Sequence, residues 1–302
     1  MVKVDDYKWF FSGIGVSILS WIKNVFLKKR NKEIEYSQEP EKKETTLKSN
    51  VSSFTETDQL TQRFQHVLTL MNFTSCYGGF TKAKLAKIMK LDKISSLEKY
   101  SIGEEEPSFE FLEQFCETFG INYLWMTEGI EQPFNNNKYI RFYPINYYDD
   151  IECLQPEEIY FIRCESEISE FFIVLKLTDW KYIICNRIWH LSDHVGRTGS
   201  LQLVSFYNLI NKLRNNGFYL KCFGRTLTLD KFEKLYRGQV FPAEIINFDR
   251  MNEPWWDDFT DINNVYPISK NYLKMYGQSF INAQSIVPVS YTHLTLPTTP
   301  YV

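Results

Sequence analysis

The clearest periodicity in the chain lies between Thr81 and Phe134. Leu85, Ile88 and Met89 recur at helical spacing, and a break from Leu91 to Lys93 leads into a second short helix whose Ile94 and Leu97 fall on one side. The pattern predicts two helices joined by a tight turn. Gly103 stands where a helix-closing glycine belongs, and Pro107-Ser108 opens a third helix. In that helix Phe109, Leu112, Phe115, Cys116 and Phe119 form a stripe expected to be buried, ended by Gly120. Upstream, the amphipathic "DQLTQRFQHVLTLM" supplies an opening helix.

After the Asn-rich loop "EGIEQPFNNN" the texture becomes aromatic and β-branched. "KYIRFYPI", "EEIYFIRCE", "EFFIVLKLT", "KYIICNRIW" and "FYLKCFGRTLT" read as strands, with Thr178-Asp179-Trp180 as a hairpin turn. A helix from Leu201 to Leu213 interrupts them, with Leu201, Val204, Leu209 and Leu213 able to share a buried face. An α+β domain over residues 138–287 with a mainly antiparallel sheet is expected.

Both ends differ from this. The run from Trp9 to Leu27 is 19 residues long and broken only by Lys23 and Asn24. As a helix it would reach about 28 Å, close to the hydrocarbon thickness of a bilayer. Lys28, Lys29, Arg30 and Lys32 follow, as on the cytoplasmic side of a membrane helix. Residues 1–30 are therefore expected to be a single-pass anchor in the cytoplasmic membrane, with an interfacial helix or a soluble core helix as the competing readings. Residues 31–56 are charged and rich in Ser and Thr, a flexible tether. At the other end "VSYTHLTLPTT" resembles a translated sequencing adapter, so 288–302 reads as a non-native tail.

Composition adds little to the fold but sharpens the surface. The formal net charge is −3, yet it is unevenly spread. Lys82, Lys84, Lys87, Lys90, Lys93 and Lys99 meet only Asp92 and Glu98 over the first two helices, whereas the stretch from Glu104 to Glu131 holds eight Glu and no Lys or Arg. The six Cys occur singly, without CxxC pairs, which favours reduced thiols over a disulfide framework or a zinc site. In "HLSDHVGRTGS", His190 and His194 are four apart but lack a third metal ligand. Gly196, Arg197, Thr198, Gly199 and Ser200 form a candidate anion-binding loop ahead of a helix, without the lysine of a P-loop; an ordinary turn is the alternative. "EPWWDDF" reads as packing or a partner contact. No catalytic constellation emerges, and no cofactor is called for.

The order T-x-x-x-L-A, a short turn, I-S-S-L-E-K-Y, Gly103, E-P-S at 106–108 and then F-G-I-N-x-x-W-M-T-E-G resembles the Cro/lambda-repressor (XRE-family) class of helix-turn-helix domains over about residues 57–134, within an expected domain of residues 57–137. The resemblance implies an all-α domain whose helix from Lys93 to Tyr100 enters the major groove of double-stranded DNA. It puts Ser95, Ser96 and Lys99 at base edges and Thr81, Lys82, Lys84 and Lys93 near the backbone. The turn is one residue longer than usual around Asp92, "TSCYGGF" is an inserted loop, and Lys82 stands where the family often has Gln. The expectation is thus a multidomain, non-enzymatic, membrane-tethered, sequence-specific transcriptional regulator, with a homodimer as one option. The alternative is a membrane-anchored interaction component of a bacterial defence or signalling system, its acidic face from Glu104 to Glu117 binding protein.

Overall fold

A computed structural model describes residues 55–73, 79–135, 139–166, 168–247, 253–261 and 270–295. It begins with α1 (Glu56–Phe73), which starts where Thr55 and Asp58 bond each other: the Thr55 amide and hydroxyl donate to the carboxylate at 3.0 and 2.8 Å, and the Asp58 amide donates back to the hydroxyl at 3.2 Å. Leu60, Phe64, Val67, Leu68 and Met71 then follow at three- and four-residue steps and are all buried. Next come α2 (Lys82–Ile88), α3 (Ser95–Ile102), α4 (Phe109–Phe119) and α5 (Tyr123–Glu128). Side-chain caps start three of them: Thr81 for α2, Ser108 for α4 and Asn122 for α5. Gly103, Gly120 and Gly129 close α3, α4 and α5.

Gly120 also joins this helical segment to the sheet. Its φ of +68° suits glycine, and a Cβ there would stand 2.9 Å from the Tyr182 carbonyl. The end of α4 therefore sits directly on a strand.

The second half opens with a 3-10 turn at Pro144–Tyr147 and α6 (Tyr148–Leu154), followed by β1 (Glu158–Cys164), β2 (Glu170–Thr178), β3 (Lys181–Ile184) and β4 (Trp189–His190). Then come α7 (Arg197–Asn215), β5 (Cys222–Leu227), α8 (Leu229–Tyr236), α9 (Pro242–Ile246), α10 (Trp255–Asp258), α11 (Lys270–Tyr276) and α12 (Gln278–Thr295). The strands run β3-β2-β1-β5, with β4 pairing β2. β1 is antiparallel to β2 but parallel to β5, with Ile159 opposite Cys222 and Cys164 opposite Leu227. The sheet is therefore mixed, three antiparallel pairings to one parallel, which corrects the expectation at the β1–β5 pair. A parallel pair needs a long crossover, and α7 provides it.

Two further expectations fail for identifiable reasons. "KYIRFYPI" forms no strand among its described residues: Pro144 starts the 3-10 turn, and the Tyr147 hydroxyl donates to the Tyr139 carbonyl at 2.7 Å while accepting from the Arg141 amide at 3.1 Å. In α7, Leu209 and Leu213 are buried, but Leu201 is exposed and Val204 half-buried; Leu203, Phe206 and Ile210 complete the inner face, one step round the helix from the expected stripe.

Both faces of β1 are covered, as expected of a strand that reads as an unbroken apolar run. Ile159 and Phe161 join Phe171, Ile173, α7, Trp255 and Trp256 in one core. Tyr160, Ile162 and Cys164 join Phe172, Val174, α8 and α9 in the other, and that core continues into the helices of residues 55–135. Phe241 is the hinge of the contact, with ring centroids 5.9 Å from Phe80, 5.4 Å from Phe134 and 5.6 Å from Tyr182. The described residues accordingly form one compact unit, with apolar packing running across the expected boundary at 137/138.

The membrane assignment is corrected. No helix among the described residues is long and apolar enough to cross a membrane, and the run from Trp9 to Leu27 lies outside them. The single-pass architecture and the cytoplasmic-membrane placement are not retained. Most of the tether lies outside the described residues too, whereas α12 continues to Thr295, into the stretch read as a non-native tail.

Candidate nucleic-acid interface

The pair α2 and α3 is wedged by a small apolar set. Leu85, Ala86 and Met89 of the first and Leu97 of the second are buried against α1 and α4. After Met89 the chain reverses through Lys90 (φ +57°), and the Leu91 amide donates to the Ala86 carbonyl at 2.9 Å. This is the six-to-one bond of a Schellman closure, which satisfies a terminal carbonyl of α2. The turn runs on to Ile94, which caps α3 without a side-chain bond. Ile94 is 44% exposed, although the helical wheel placed it inside with Leu97. Because α3 begins only at Ser95, Ile94 belongs to the turn and the wheel does not govern it.

The residues expected to meet DNA are distributed as follows. Lys93, Ser95 and Lys99 are exposed, and Ser96 is half-buried. Thr81 caps α2, its hydroxyl accepting from the Lys84 amide at 3.2 Å. Three lysines have partners within the chain. Lys82 Nζ donates to Ser101 Oγ at 2.6 Å, Lys84 Nζ lies 4.3 Å from the Phe80 ring centroid, and Lys99 pairs with Glu105 at 3.3 Å. The last is a solvent-exposed pair, worth about 0–1 kcal/mol, so a phosphate competes with it readily. The Lys82 contact is tighter, because Ser101 is itself held by Gln65 through its carbonyl and by Glu98 through its hydroxyl.

Lys87 and Lys90 extend the same surface. Both are exposed, and among the described residues neither takes part in an ion pair. The motif alone did not single them out; the run of lysines in the sequence did contain them. With Lys84 and Lys93 they leave four lysines along α2 and the turn, close to the exposed start of α3.

The opposite charge is concentrated on α4. Leu112, Phe115, Cys116 and Phe119 are buried as expected, but Phe109 is 71% exposed. It is the first residue of α4 and on the wheel borders the arc of Glu113 and Glu117; neither these nor Glu110 forms an ion pair among the described residues. Arg63, the nearest base to α5, is occupied by the Met126 and Thr127 carbonyls at 2.7 Å each.

The glycine-rich loop is a separate place on the fold. Gly196 is the N-cap of α7, Arg197 and Thr198 are exposed on its first turn, and the Ser200 amide donates to the Gly196 carbonyl at 3.3 Å. Gly199 has a packing reason: a Cβ there would collide with the Ser192 carbonyl. His190 and His194 do not share a helical face. His190 lies on β4, its ring 3.2 Å from Gln202 Oε1 and 3.8 Å from Glu170, while His194 sits in the following 3-10 turn. The "EPWWDDF" stretch is packing, with Trp255 and Trp256 buried against Phe161.

No family model matches the chain, and neither does any curated protein or solved structure. The helix-turn-helix resemblance therefore rests on the residues and geometry above.

Proposed function

We propose that the chain is a DNA-binding protein of the helix-turn-helix kind, acting as a sequence-specific transcriptional regulator. The observation that carries this reading is the exposed lysine surface of α2 and the turn beside the free start of α3, where six lysines meet only Asp92 and Glu98. Lys84, Lys87, Lys90 and Lys93 would neutralise phosphates, a contribution that is independent of sequence and sensitive to salt. Ser95 and Lys99 would reach base edges; Lys contacts guanine O6 or N7 and Ser either donates or accepts, so discrimination is modest. The sheet, α8 and α9 hold this surface through the shared core.

The test is binding of the full chain to duplex libraries over a range of salt. Affinity should fall linearly on a log-log plot, and Lys87→Ala should weaken all sequences alike and flatten the slope by about one unit. Lys99→Ala should instead change which sequences are preferred. Absence of salt-sensitive binding to any duplex overturns the reading. A second reading, a protein contact on the acidic face, is favoured by the exposure of Phe109.

A further inference from the structure

Two apolar side chains that the helical wheel placed inside stand in solvent on faces of opposite charge. Phe109 is the exposed first residue of α4, beside Glu110 and bordering the arc that carries Glu113 and Glu117. Ile94 lies in the turn before α3, next to Lys93 and following Lys90. Each face is an apolar centre with a charged surround, and each lacks what the other has. Burial of an exposed aromatic at the centre of a contact, with opposite charges around it, is the usual anatomy of a specific protein interface.

We infer that the occupant of the acidic face of α4 is a second copy of this chain, docked through its lysine face on α2 and the turn before α3. The complementarity is internal to the sequence: six lysines against two acids between Lys82 and Lys99, and eight glutamates against no base between Glu104 and Glu131. The two surfaces are different, so the contact is head-to-tail and leaves a free face at each end. Such a contact builds open chains unless the rotation closes a ring. It also occupies the surface assigned above to DNA, so each copy presents its lysines either to duplex or to a neighbour. Self-association does not require the DNA reading to hold, because it is measured without nucleic acid.

The experiment is sedimentation velocity of the full chain over a concentration series at low and high salt. Average mass should rise with concentration at low salt and return to that of the monomer at high salt. Phe109→Ser should weaken association by about tenfold, in keeping with the loss of one buried aromatic anchor. Glu113→Lys with Glu117→Lys should abolish it, as should Lys87→Glu with Lys90→Glu, and mixing the two charge-reversed proteins should restore it. All these positions are exposed, so unchanged thermal unfolding of each variant separates docking from folding. A duplex that binds the wild-type chain should dissolve the assemblies; a duplex that shows no binding is a failure of the DNA reading and leaves the sedimentation result standing. A chain that stays monomeric at every concentration, association that survives either charge reversal, or assemblies that persist when saturated with bound duplex each overturns the inference. Capture of a basic peptide by α4 in a chain that remains monomeric overturns it too, in favour of a foreign partner.

Discussion

Helices α3 and α4 are neighbours in sequence and are held in opposite ways. α4 is fixed by its inner side, where Phe115 lies 4.8 Å from Phe64 and 4.9 Å from Phe119, and by the junction of Gly120 with Tyr182. α3 contributes one fully buried apolar side chain, Leu97, and leans on polar ties through Ser101 to Gln65 and Lys82. A helix anchored along one whole side leaves its outer arc free for any composition, and α4 carries glutamates there. A helix held at one or two points keeps most of its surface exposed to solvent.

That contrast is open to direct attack, and the largest effect should be chemical. Burial pushes the Cys116 thiol from 9.0 up to about 12. At neutral pH its thiolate population then falls about a thousandfold, so alkylation in the native chain should be slower by at least that factor, while exposed Cys153 labels readily. Rapid native labelling of Cys116 would mean that α4 is not held as described. Next, Phe115→Ala should cost about 3–5 kcal/mol in urea unfolding. Leu97→Ala should fall near the lower end of about 2–5 kcal/mol, since it removes a smaller side chain than Phe115→Ala does. Equal losses would erase the distinction between the helices. Gly120→Ala should cost about 1–2 kcal/mol from the left-handed backbone alone. The Tyr182 carbonyl adds to this, and the loss should reach the sheet, seen as reduced amide protection in β3 as well as α4. Ser108→Ala, which removes the acceptor for the Phe111 amide, should cost about 1 kcal/mol. Glu113→Gln, on the exposed arc, should shift stability by less than about 0.5 kcal/mol while weakening self-association.

Much of the helical segment was legible because local rules governed it. Ser108, Gly103 and Gly120 mark helix ends by short-range chemistry, and the structure uses each where expected. β1 and β2 were legible from their β-branched and aromatic runs. Two burial errors in the helical segment fall where a residue lay just outside a helical interior. Ile94 precedes the first turn of α3 and Phe109 is the first residue of α4, so neither is constrained by the stripe that follows it. Of the candidate site, the lysine run was readable; which lysines are tied down was not. The ties of Lys82 to Ser101 and of Lys99 to Glu105 depend on how helices meet. The glycine-rich loop carried two explanations, and for Gly199 the Ser192 carbonyl supplies the packing one.

The sequence by itself determined where α3 and α4 stop, which runs form β1 and β2, and how charge divides between the stretch from Lys82 to Lys99 and that from Glu104 to Glu131. Those properties depend on residues within a few positions of one another. Tertiary structure alone decided that β5 runs parallel to β1, that the helical segment and the sheet share a core through Phe241, and that Ile94 and Phe109 face solvent. Strand direction and burial are set by partners far along the chain, because what an apolar side chain gains depends on what is brought against it.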